Sequence, residues 1–299
     1  MLPPDGHVHT EWSWDAAAGS MERSCARAVE LGLPSIAFTE HAHFTGWLIA
    51  PGFKARMRQK NAARIGPGNS FRPPPLDAAA YLACVQRCRD LFPGLRILSG
   101  AELGEPHWHE EQVKALLGAG SFDRVLGSVH SLEFDGTRLV DLLFDQAQPA
   151  DLIRAYLAEA LRLVESTAPF AVLAHIDYPL RHWPKEAGRF DPAVFEDEYR
   201  TVLAALARSG RALEVNATVP LPPVIVRWWH ESSGADLVFG SDAHEPSAVA
   251  RRFADLAAAA EAAGFHPGRH PHDFWRRNPR AGQSRPRPRR ARAGRRRPV

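Results

Sequence analysis

The stretch SIAFTEH, residues 35–41, carries the pattern on which the whole chain is built. Its first four residues are small or apolar, and its last three are Thr39, Glu40 and His41. A short apolar run without polar alternation is typical of a strand covered on both faces, as in parallel sheets. The polar residues at its carboxyl end would then stand at one edge of such a sheet.

Six more runs of the same kind occur along the chain. Helical stretches separate them, and the first of these helices begins after the capping residue Ser20 and ends before Gly32. Strand followed by helix, seven times over, predicts right-handed crossovers and an α/β fold with a closed barrel or a wound sheet. The predicted strands span residues 5–9, 35–41, 96–103, 124–131, 171–177, 212–217 and 237–244.

The length and composition of the chain limit the classes of protein to which it can belong. The chain has 299 residues, 45% hydrophobic and 24% charged, which fits one soluble α/β barrel domain. No apolar run approaches the ~20 residues that span a bilayer, and residues 1–9 lack the features of a secretory signal. We therefore expect a cytoplasmic protein without membrane contact. Three cysteines, Cys25, Cys84 and Cys88, do not suggest a disulfide framework.

Charge is divided unevenly along the chain. Residues 280–299 contain nine Arg and no acidic residue, so the formal charge of +3 becomes −6 for residues 1–279. We expect one domain over residues 1–266 and a disordered Arg/Pro-rich tail over residues 267–299, because the tail cannot bury enough apolar surface to fold. The acidic domain argues against broad nucleic-acid binding, whereas the tail predicts weak, non-specific contact with nucleic acid at low salt.

Residues 44–75 interrupt the alternation of strands and helices. They are rich in Pro and Gly and contain six Arg or Lys between Lys54 and Arg72. Long loops inside a compact domain are often functional, for example as active-site lids. A disordered surface insertion is the alternative.

Imidazoles and carboxylates collect at the carboxyl ends of six predicted strands. His7 and His9 are two apart, so both point to the same side of an extended segment. Strand ends in a parallel barrel meet at one rim, where crowded imidazoles and carboxylates need a bound positive charge. Nitrogen and oxygen ligands without thiolate suit Zn²⁺, Mn²⁺ or iron, so the sequence predicts a metal site. The residues are His7, His9, Glu40, His41, Glu102, His130, His175, Asp177, Asp242 and His244.

The order of these motifs resembles the polymerase and histidinol phosphatase (PHP) superfamily, in its histidinol-phosphatase-like branch, over most of residues 5–265. The resemblance implies a distorted (β/α)7 parallel barrel of the TIM type, in agreement with the seven predicted strands. The motifs that carry it are His7-Val8-His9-Thr10 with Ser13 and Asp15, Phe38-Thr39-Glu40-His41, Gly100-Ala101-Glu102, Leu126-Gly127-Ser128-Val129-His130, Ala174-His175-Ile176-Asp177, Leu213-Glu214-Val215-Asn216 and Gly240-Ser241-Asp242-Ala243-His244.

The same resemblance implies two to three divalent metal ions, Zn, Mn or Fe, and assigns their ligands. The first ion would take His7, His9, Glu102 and Asp242. The second would take Glu102, His130 and His175, with Glu102 bridging. The third would take Asp15, His41 and His244. All nine positions hold a competent ligand type. Trp12 and Trp14 flank Asp15 and either wall the pocket or pack in the core.

Such a centre predicts hydrolysis of a phosphate ester, with Glu102 and Asp242 counted among the catalytic residues. His43, Asp177 and His182 are candidates for protonating the leaving alcohol. Arg181 follows the fifth strand closely enough to bind phosphate, and His182 beside it is a second candidate for substrate binding.

Three functions are open at this point. The first is a metal-dependent phosphatase of a small phosphorylated substrate, with histidinol phosphate as the leading candidate because the chain is short and stands alone. The second is a phosphodiesterase or exonuclease acting on nucleic acid with the same metals, which the acidic domain disfavours. The third is a non-catalytic metal-binding module, which the complete ligand set disfavours.

Overall fold

The computed structural model describes residues 2–49, 61, 63–134, 136–140 and 143–277. All seven predicted runs form strands, and these hydrogen-bond to one another in chain order, every pair parallel. The strands are β1 (Asp5–Val8), β2 (Ser35–His43), β3 (Arg96–Gly104), β4 (Arg124–Ser128), β5 (Val172–Leu173), β6 (Ala212–Asn216) and β7 (Asp236–Gly240).

The sheet closes at its carboxyl edge. The His9 amide donates to the Ala243 carbonyl at 2.8 Å, and the Asp242 amide donates to the His7 carbonyl at 2.8 Å. A Cβ at Gly6 would lie 2.6 Å from Val238 Cγ1, so glycine permits the close approach of β1 to β7. The predicted distorted (β/α)7 barrel is confirmed, and the distortion is that β1 and β7 join only just beyond the end of β7.

Seven α-helices of the described chain surround the strands. Local capping explains several of their ends: Asp77 accepts the Ala80 amide at 3.1 Å, and one helix stops where Gly210 takes a φ of 72°. None of the helices described is long and apolar enough to cross a membrane. They are α1 (Met21–Glu30), α2 (Ala78–Leu91), α3 (Glu110–Gly118), α4 (Pro149–Glu165), α5 (Glu196–Ser209), α6 (Pro223–Glu231) and α7 (Phe253–Ala262).

The main core lies between the helices and the sheet. Tyr81 of α2 is fully buried there, and its hydroxyl donates to the Phe38 carbonyl at 2.6 Å and accepts the Gly100 amide at 2.8 Å. This one side chain therefore ties a helix to β2 and β3, the two strands that carry His41 and Glu102. Cys25, Cys84 and Cys88 are buried and free, as expected for small apolar core residues.

Described strands continue past residue 266, where the sequence places the end of the domain. A strand at Trp275–Arg277 pairs antiparallel with β7 and with a short strand at Phe265–His266. Trp275 is buried and packs its ring 4.9 Å from that of Phe239. The sequence conceals this strand because only two apolar residues, Phe274 and Trp275, stand between Asp273 and Arg276. The Arg-rich residues 280–299 lie outside the described residues.

The described part of the long basic loop is packed. Its strand Trp47–Leu48 pairs with Ser70–Phe71, and Trp47, Phe71 and Trp14 form a separate apolar cluster with Ile49, Ile65 and Leu139. The Asn61 side chain donates to the Trp14 carbonyl at 2.7 Å. The described segments thus cover one side of the barrel mouth; residues 50–60 and 62 of the loop lie outside the described part.

Candidate metal centre

The nine ligand positions predicted from the sequence meet at the carboxyl rim of the barrel. β1 supplies His7, β2 supplies His41, and β3 supplies Glu102. The remaining six follow strands or lie in loops: His9 and Asp15 after β1, His130 after β4, His175 after β5, and Asp242 and His244 after β7. We call these nine residues the histidine–carboxylate cluster.

The first group of the cluster surrounds the paired histidines of β1. His7 Nε2 and His9 Nε2 lie 2.9 Å apart. Asp242 Oδ1 lies 3.6 Å from the first nitrogen and 3.2 Å from the second. Glu102 Oε2 lies 3.5 Å and 3.4 Å from the same two atoms. Two imidazole nitrogens and two carboxylate oxygens therefore face one point, as the resemblance implied.

Glu102 joins this group to a second one. Its other oxygen, Oε1, lies 2.7 Å from His175 Nε2 and 3.3 Å from His130 Nε2. Glu102 is completely buried. Its two oxygens thus face different sets of imidazoles, which is the arrangement a bridging carboxylate requires.

The third group lies nearer the surface. Asp15 Oδ2 lies 3.3 Å from His41 Nε2 and 3.5 Å from His244 Nε2. His9 stacks on His41 with ring centroids 4.0 Å apart, and His9, His41 and His244 can also converge on one ion. His43 forms a further candidate group with His41 and Glu102, so it is placed like a ligand although it is outside the nine.

Unpaired polar atoms inside the cluster fit divalent ions. Among the described residues, Glu102 Oε2, Asp15 Oδ1 and His41 Nδ1 are buried without a hydrogen bond of good geometry, although Glu102 Oε2 and His41 Nδ1 lie 2.8 Å apart. Each such atom costs about 1–3 kcal/mol unless something replaces its lost water. Imidazole nitrogens and carboxylate oxygens are ligands that Zn²⁺, Mn²⁺ and iron accept, so the donor set and the unmet bonding fit these metals.

Electrostatics of the cluster point the same way. Burial lowers the pKa of His7, but Glu214, Glu102 and Asp242 together raise it well above its ordinary value. Burial lowers the pKa of neighbouring His9 well below its ordinary value, aided by the charges of His41 and His244. Burial raises the pKa of Glu102, but surrounding histidines bring it well below the usual range, so this group is a carboxylate. Metal binding would therefore displace protons from the cluster.

Two ligand positions have an unusual backbone. His175 has a φ of 22° and Asp242 a φ of 52°, both in the left-handed region that disfavours side chains. Both come just after a barrel strand, where the turn brings the side chain back onto the rim. Such strain costs on the order of 1–3 kcal/mol and is typical of functional sites.

Three buried carboxylates, Glu40, Glu105 and Glu214, hydrogen-bond to residues of the cluster or to their neighbours. The sequence did not assign them this supporting role. Glu40 accepts from the Thr10 hydroxyl at 2.6 Å and from the Ser13 hydroxyl at 2.6 Å. Glu105 accepts the backbone amide of His130 at 2.6 Å, and Glu214 lies 2.6 Å from His7 Nδ1. Glu40 and Glu214 stand in the quoted motifs, but their residue type alone does not separate a support from a ligand.

Arg181 lies at the edge of the cluster. It belongs to the turn Tyr178–His182, and its Nη2 donates to Asp242 Oδ2 at 2.5 Å. Its guanidinium also lies 4.9 Å from the ring centroid of Tyr178. The Tyr178 ring contacts His130 at 4.9 Å and His175 at 5.1 Å, so this tyrosine lines the site although the sequence did not single it out.

The remaining candidates occupy different environments. Burial raises the pKa of Asp177 to about 7, with the Arg181 charge opposing, and its Oδ2 has no hydrogen-bond partner in the described structure. His43 is buried and accepts from Trp14 Nε1 at 3.3 Å, and burial lowers its pKa well below the ordinary value. His182 is exposed, with its ring 6.3 Å from Tyr178.

The two tryptophans beside Asp15 separate into the two roles considered. Trp14 lies against the site, with its ring 6.4 Å from His41 and 6.3 Å from His43. Trp12 faces the core instead, with its ring 6.4 Å from Tyr81. The aromatic wall of the site is therefore Trp14, continued by Trp47 at 5.8 Å.

A parallel barrel whose rim holds a buried cluster of imidazoles and carboxylates defines the class of metal-dependent hydrolases. Residues 5–218 match the PHP domain family. A Deinococcus radiodurans protein described as a probable histidinol-phosphatase is 30% identical over 267 residues, covering 84% of this chain and 90% of the relative. The histidinol-phosphatase of Lactococcus lactis subsp. lactis is 24% identical over 253 residues, covering 80% and 83%.

A solved structure agrees in fold. The crystal structure of histidinol phosphate phosphatase from Lactococcus lactis, complexed with zinc, L-histidinol and phosphate, superposes with a TM-score of 0.70. The two chains are 23% identical, and the match covers 89% of this chain and 95% of the other. This chain belongs to the PHP domain family, in its histidinol-phosphatase-like branch. It is a metal-dependent phosphatase.

Proposed function

We propose that this phosphatase hydrolyses a small phosphate monoester, histidinol phosphate, with two to three divalent ions held by the histidine–carboxylate cluster. The observation that carries the proposal is Arg181 bonded to the outer oxygen of Asp242, at the edge of a buried cluster of six imidazoles and three carboxylates. A cation cluster beside a guanidinium is suited to a phosphate group. The relatives named above, which share the whole domain, support this substrate class.

The ligands would divide as the sequence indicated. His7, His9, Glu102 and Asp242 would hold one ion, with Glu102 shared by a second ion on His130 and His175. Asp15, His41 and His244 would hold a third. Bound divalent ions supply a water of lowered pKa as the nucleophile and neutralise charge on phosphate oxygens.

The side chains of the chain itself orient the substrate. Arg181 is partly buried and held between Asp242 and the Tyr178 ring, so its guanidinium loses little conformational freedom on binding phosphate. Trp14 and Tyr178 would line the space for the alcohol part of the substrate, because their rings lie against opposite histidines of the cluster.

The leaving alcohol needs a proton. Asp177 is favoured over His43, because burial raises the pKa of Asp177 to about 7, so that it can carry the proton, whereas burial lowers the pKa of His43 well below its ordinary value. Asp177 Oδ2 and His43 Nε2 are both buried with no hydrogen-bond partner among the described residues. Nδ1 of His43 already accepts a hydrogen bond from the Trp14 indole, and the His182 side chain is exposed to solvent. Glu102 and Asp242 are catalytic in the proposal through the ions they hold.

One experiment tests the proposal. Full-length protein is purified, its Zn, Mn and Fe content is measured, and hydrolysis is followed for histidinol phosphate, other phosphomonoesters and a phosphodiester. The expected result is two to three metal equivalents, hydrolysis of histidinol phosphate above the other esters, and loss of activity on chelation that added metal restores. Less than one equivalent of metal, with no activity gained on adding metal, would refute the metal part. Preference for the phosphodiester would favour the nuclease alternative.

A further inference from the structure

Glu214 of β6 contacts two residues of the histidine–carboxylate cluster, His7 and His175, and also Asn216. Its Oε1 lies 2.6 Å from His7 Nδ1. Its Oε2 accepts the backbone amide of His175 at 2.7 Å and the side-chain amide of Asn216 at 3.3 Å. The side chain is buried, so no bulk water competes for these bonds. In its ionised form Glu214 has only acceptor atoms, so His7 Nδ1 donates to it.

This requirement fixes the tautomer of His7. With one proton held on Nδ1, the ring can give up the proton on Nε2 and offer that lone pair to an ion among His9, Glu102 and Asp242, whose nearest atoms all lie within 3.6 Å. Carboxylate–histidine pairs of this kind orient ligands in metal sites.

Gly240 supplies the space for this contact. A Cβ at residue 240 would collide with Glu214 Oε1 and lie 2.7 Å from His7 Cβ. A side chain of any size there would displace the carboxylate from the imidazole. The contact between Glu214 of β6 and His7 of β1 therefore also requires a glycine at position 240, at the end of β7.

His9 is held by a different route, which makes the role of Glu214 specific to His7. The Ser13 hydroxyl donates to Glu40 Oε2 at 2.6 Å and therefore accepts from His9 Nδ1, 2.9 Å away. It also accepts the His41 amide at 3.0 Å. At Nδ1, a carboxylate thus acts on His9 only through a hydroxyl, whereas Glu214 acts on His7 Nδ1 directly.

We propose that Glu214 is a positioning residue that sets the Nδ1–H tautomer of His7 and holds the backbone at His175, so that ligands from β1 and the end of β5 are aligned together. This rests on the proposed function, since it requires that the cluster bind metal. Glu214 contacts His7 through Nδ1, whereas Glu102 and Asp242 lie near Nε2, so Glu214 would support a ligand without being one. Its loss should weaken metal binding at the groups that contain His7 and His175.

The direct test is Glu214→Gln in the full-length protein. The amide group is nearly isosteric, but its NH₂ must face one of two donors, so His7 loses its acceptor or His175 loses its own. We expect zinc affinity, measured by competition with a chelator, to fall about 10- to 100-fold. We also expect the proton of His7 Nδ1, seen in nitrogen–proton spectra of the zinc-loaded protein, to disappear or shift at saturating zinc.

The matched control is Glu159→Gln. Glu159 is also buried and lies 2.6 Å from a histidine nitrogen, His107 Nε2, but that pair is outside the cluster. It should lower the thermal stability of the metal-free protein without changing zinc affinity. Gly240→Ala should reproduce the loss of zinc affinity by displacing Glu214 from the other side.

The outcomes separate the two proposals. Wild-type protein that binds no zinc refutes the proposed function. Wild-type protein that binds zinc while Glu214→Gln binds it equally tightly overturns the role of Glu214 alone. If the variants do not fold, the spectrum of zinc-loaded wild-type protein decides: a proton on His7 Nδ1 supports the proposal, and a proton on Nε2 overturns it.

Discussion

Arg181 donates a hydrogen bond of 2.5 Å to one carboxylate oxygen of Asp242, and the other oxygen faces the histidine–carboxylate cluster. The bond uses Oδ2 of Asp242, while Oδ1 lies 3.2 Å from His9 Nε2 inside the cluster. Burial raises the pKa of Asp242, but Arg181 and the histidines hold it well below the usual range. The Asp242 side chain therefore contacts both the proposed metal site and Arg181, the proposed phosphate-binding residue. This shared contact sets the distance between Arg181 and the proposed ions.

Arg181→Ala should weaken substrate binding without removing the metal. A lost charge-assisted contact costs on the order of 1.5–3 kcal/mol, or about 10- to 150-fold in kcat/KM for the best phosphomonoester. Metal content should hold, because Asp242 keeps its inward oxygen and loses a competing cation. Steady-state kinetics and elemental analysis measure both, with Arg200→Ala as a control at an exposed arginine bonded to Glu196 and Glu231. Unchanged kinetics in Arg181→Ala would remove the residue from the site.

Glu102→Gln should lose metal and turnover together. The two oxygens of Glu102 face different imidazole groups, and an amide can offer only one of them an oxygen. The loss should exceed the ~10- to 100-fold that is typical when only a supporting residue is removed. Metal content and rate are compared with wild type, and a melting curve checks that the nearly isosteric variant is folded. A folded variant that retains near-normal metal and turnover would show that Glu102 does not bridge.

Eight of the nine proposed ligand positions were predictable because each stands at or just after a strand end, whereas Asp15, in the loop after β1, was assigned only by the family resemblance. His7 with His9, and Asp242 with His244, are two apart, and the apolar runs before them identify the strands. The supporting carboxylates were not separable in this way. Glu40 precedes His41 on β2 and points the other way, to Thr10 and Ser13, which only the closed barrel brings near. The role of Glu214 likewise depends on Gly240 of the next strand.

The fold beyond the seventh strand was not predictable for a related reason. Trp275 stands with Phe274 in an apolar run of only two residues between Asp273 and Arg276, and neither apolar period nor run length marks it as a strand. Its pairing depends on the free edge of β7, which exists because β1 meets β7 only beyond that strand's end. Local sequence does not encode that distortion.

Glu159 predicts a pH dependence of stability. Its carboxylate lies 2.6 Å from His107 Nε2, and Arg162 and Trp108 donate to it. Burial raises its pKa, but these hydrogen bonds leave it below the ordinary value of 4.5. A carboxyl group with a lowered folded-state pKa stabilises the fold above the unfolded-state pKa and loses that contribution as pH falls through the folded-state pKa.

Glu159→Gln should therefore be less stable than wild type by about 1–3 kcal/mol near pH 7. The difference should shrink as pH falls below about 4.5, where wild type also becomes protonated. Melting curves of both proteins from pH 3 to pH 7, in the presence of a chelator, measure it. A gap that stays constant across this range would mean that the charge of Glu159 contributes nothing.

Two truncations test where the folded chain ends. Stopping after residue 279 removes the Arg-rich segment but keeps the strand Trp275–Arg277, so melting temperature and phosphatase rate should equal those of the full chain. Stopping after residue 266 also removes Trp275, which is buried against Phe239 and pairs with Leu237, so unfolding free energy should fall by about 3–5 kcal/mol. Melting curves and rates of the three forms distinguish these cases. A clear loss in the longer truncated form would mean that residues 280–299 pack on the barrel or enter the site.

The same three forms test the charge of the tail. Its nine Arg should give the full chain weak, non-specific binding to nucleic acid at low salt, and this binding should fall steeply as salt rises. Neither truncated form should bind. Equal binding by the form ending at residue 279 would assign the contact to the acidic domain instead.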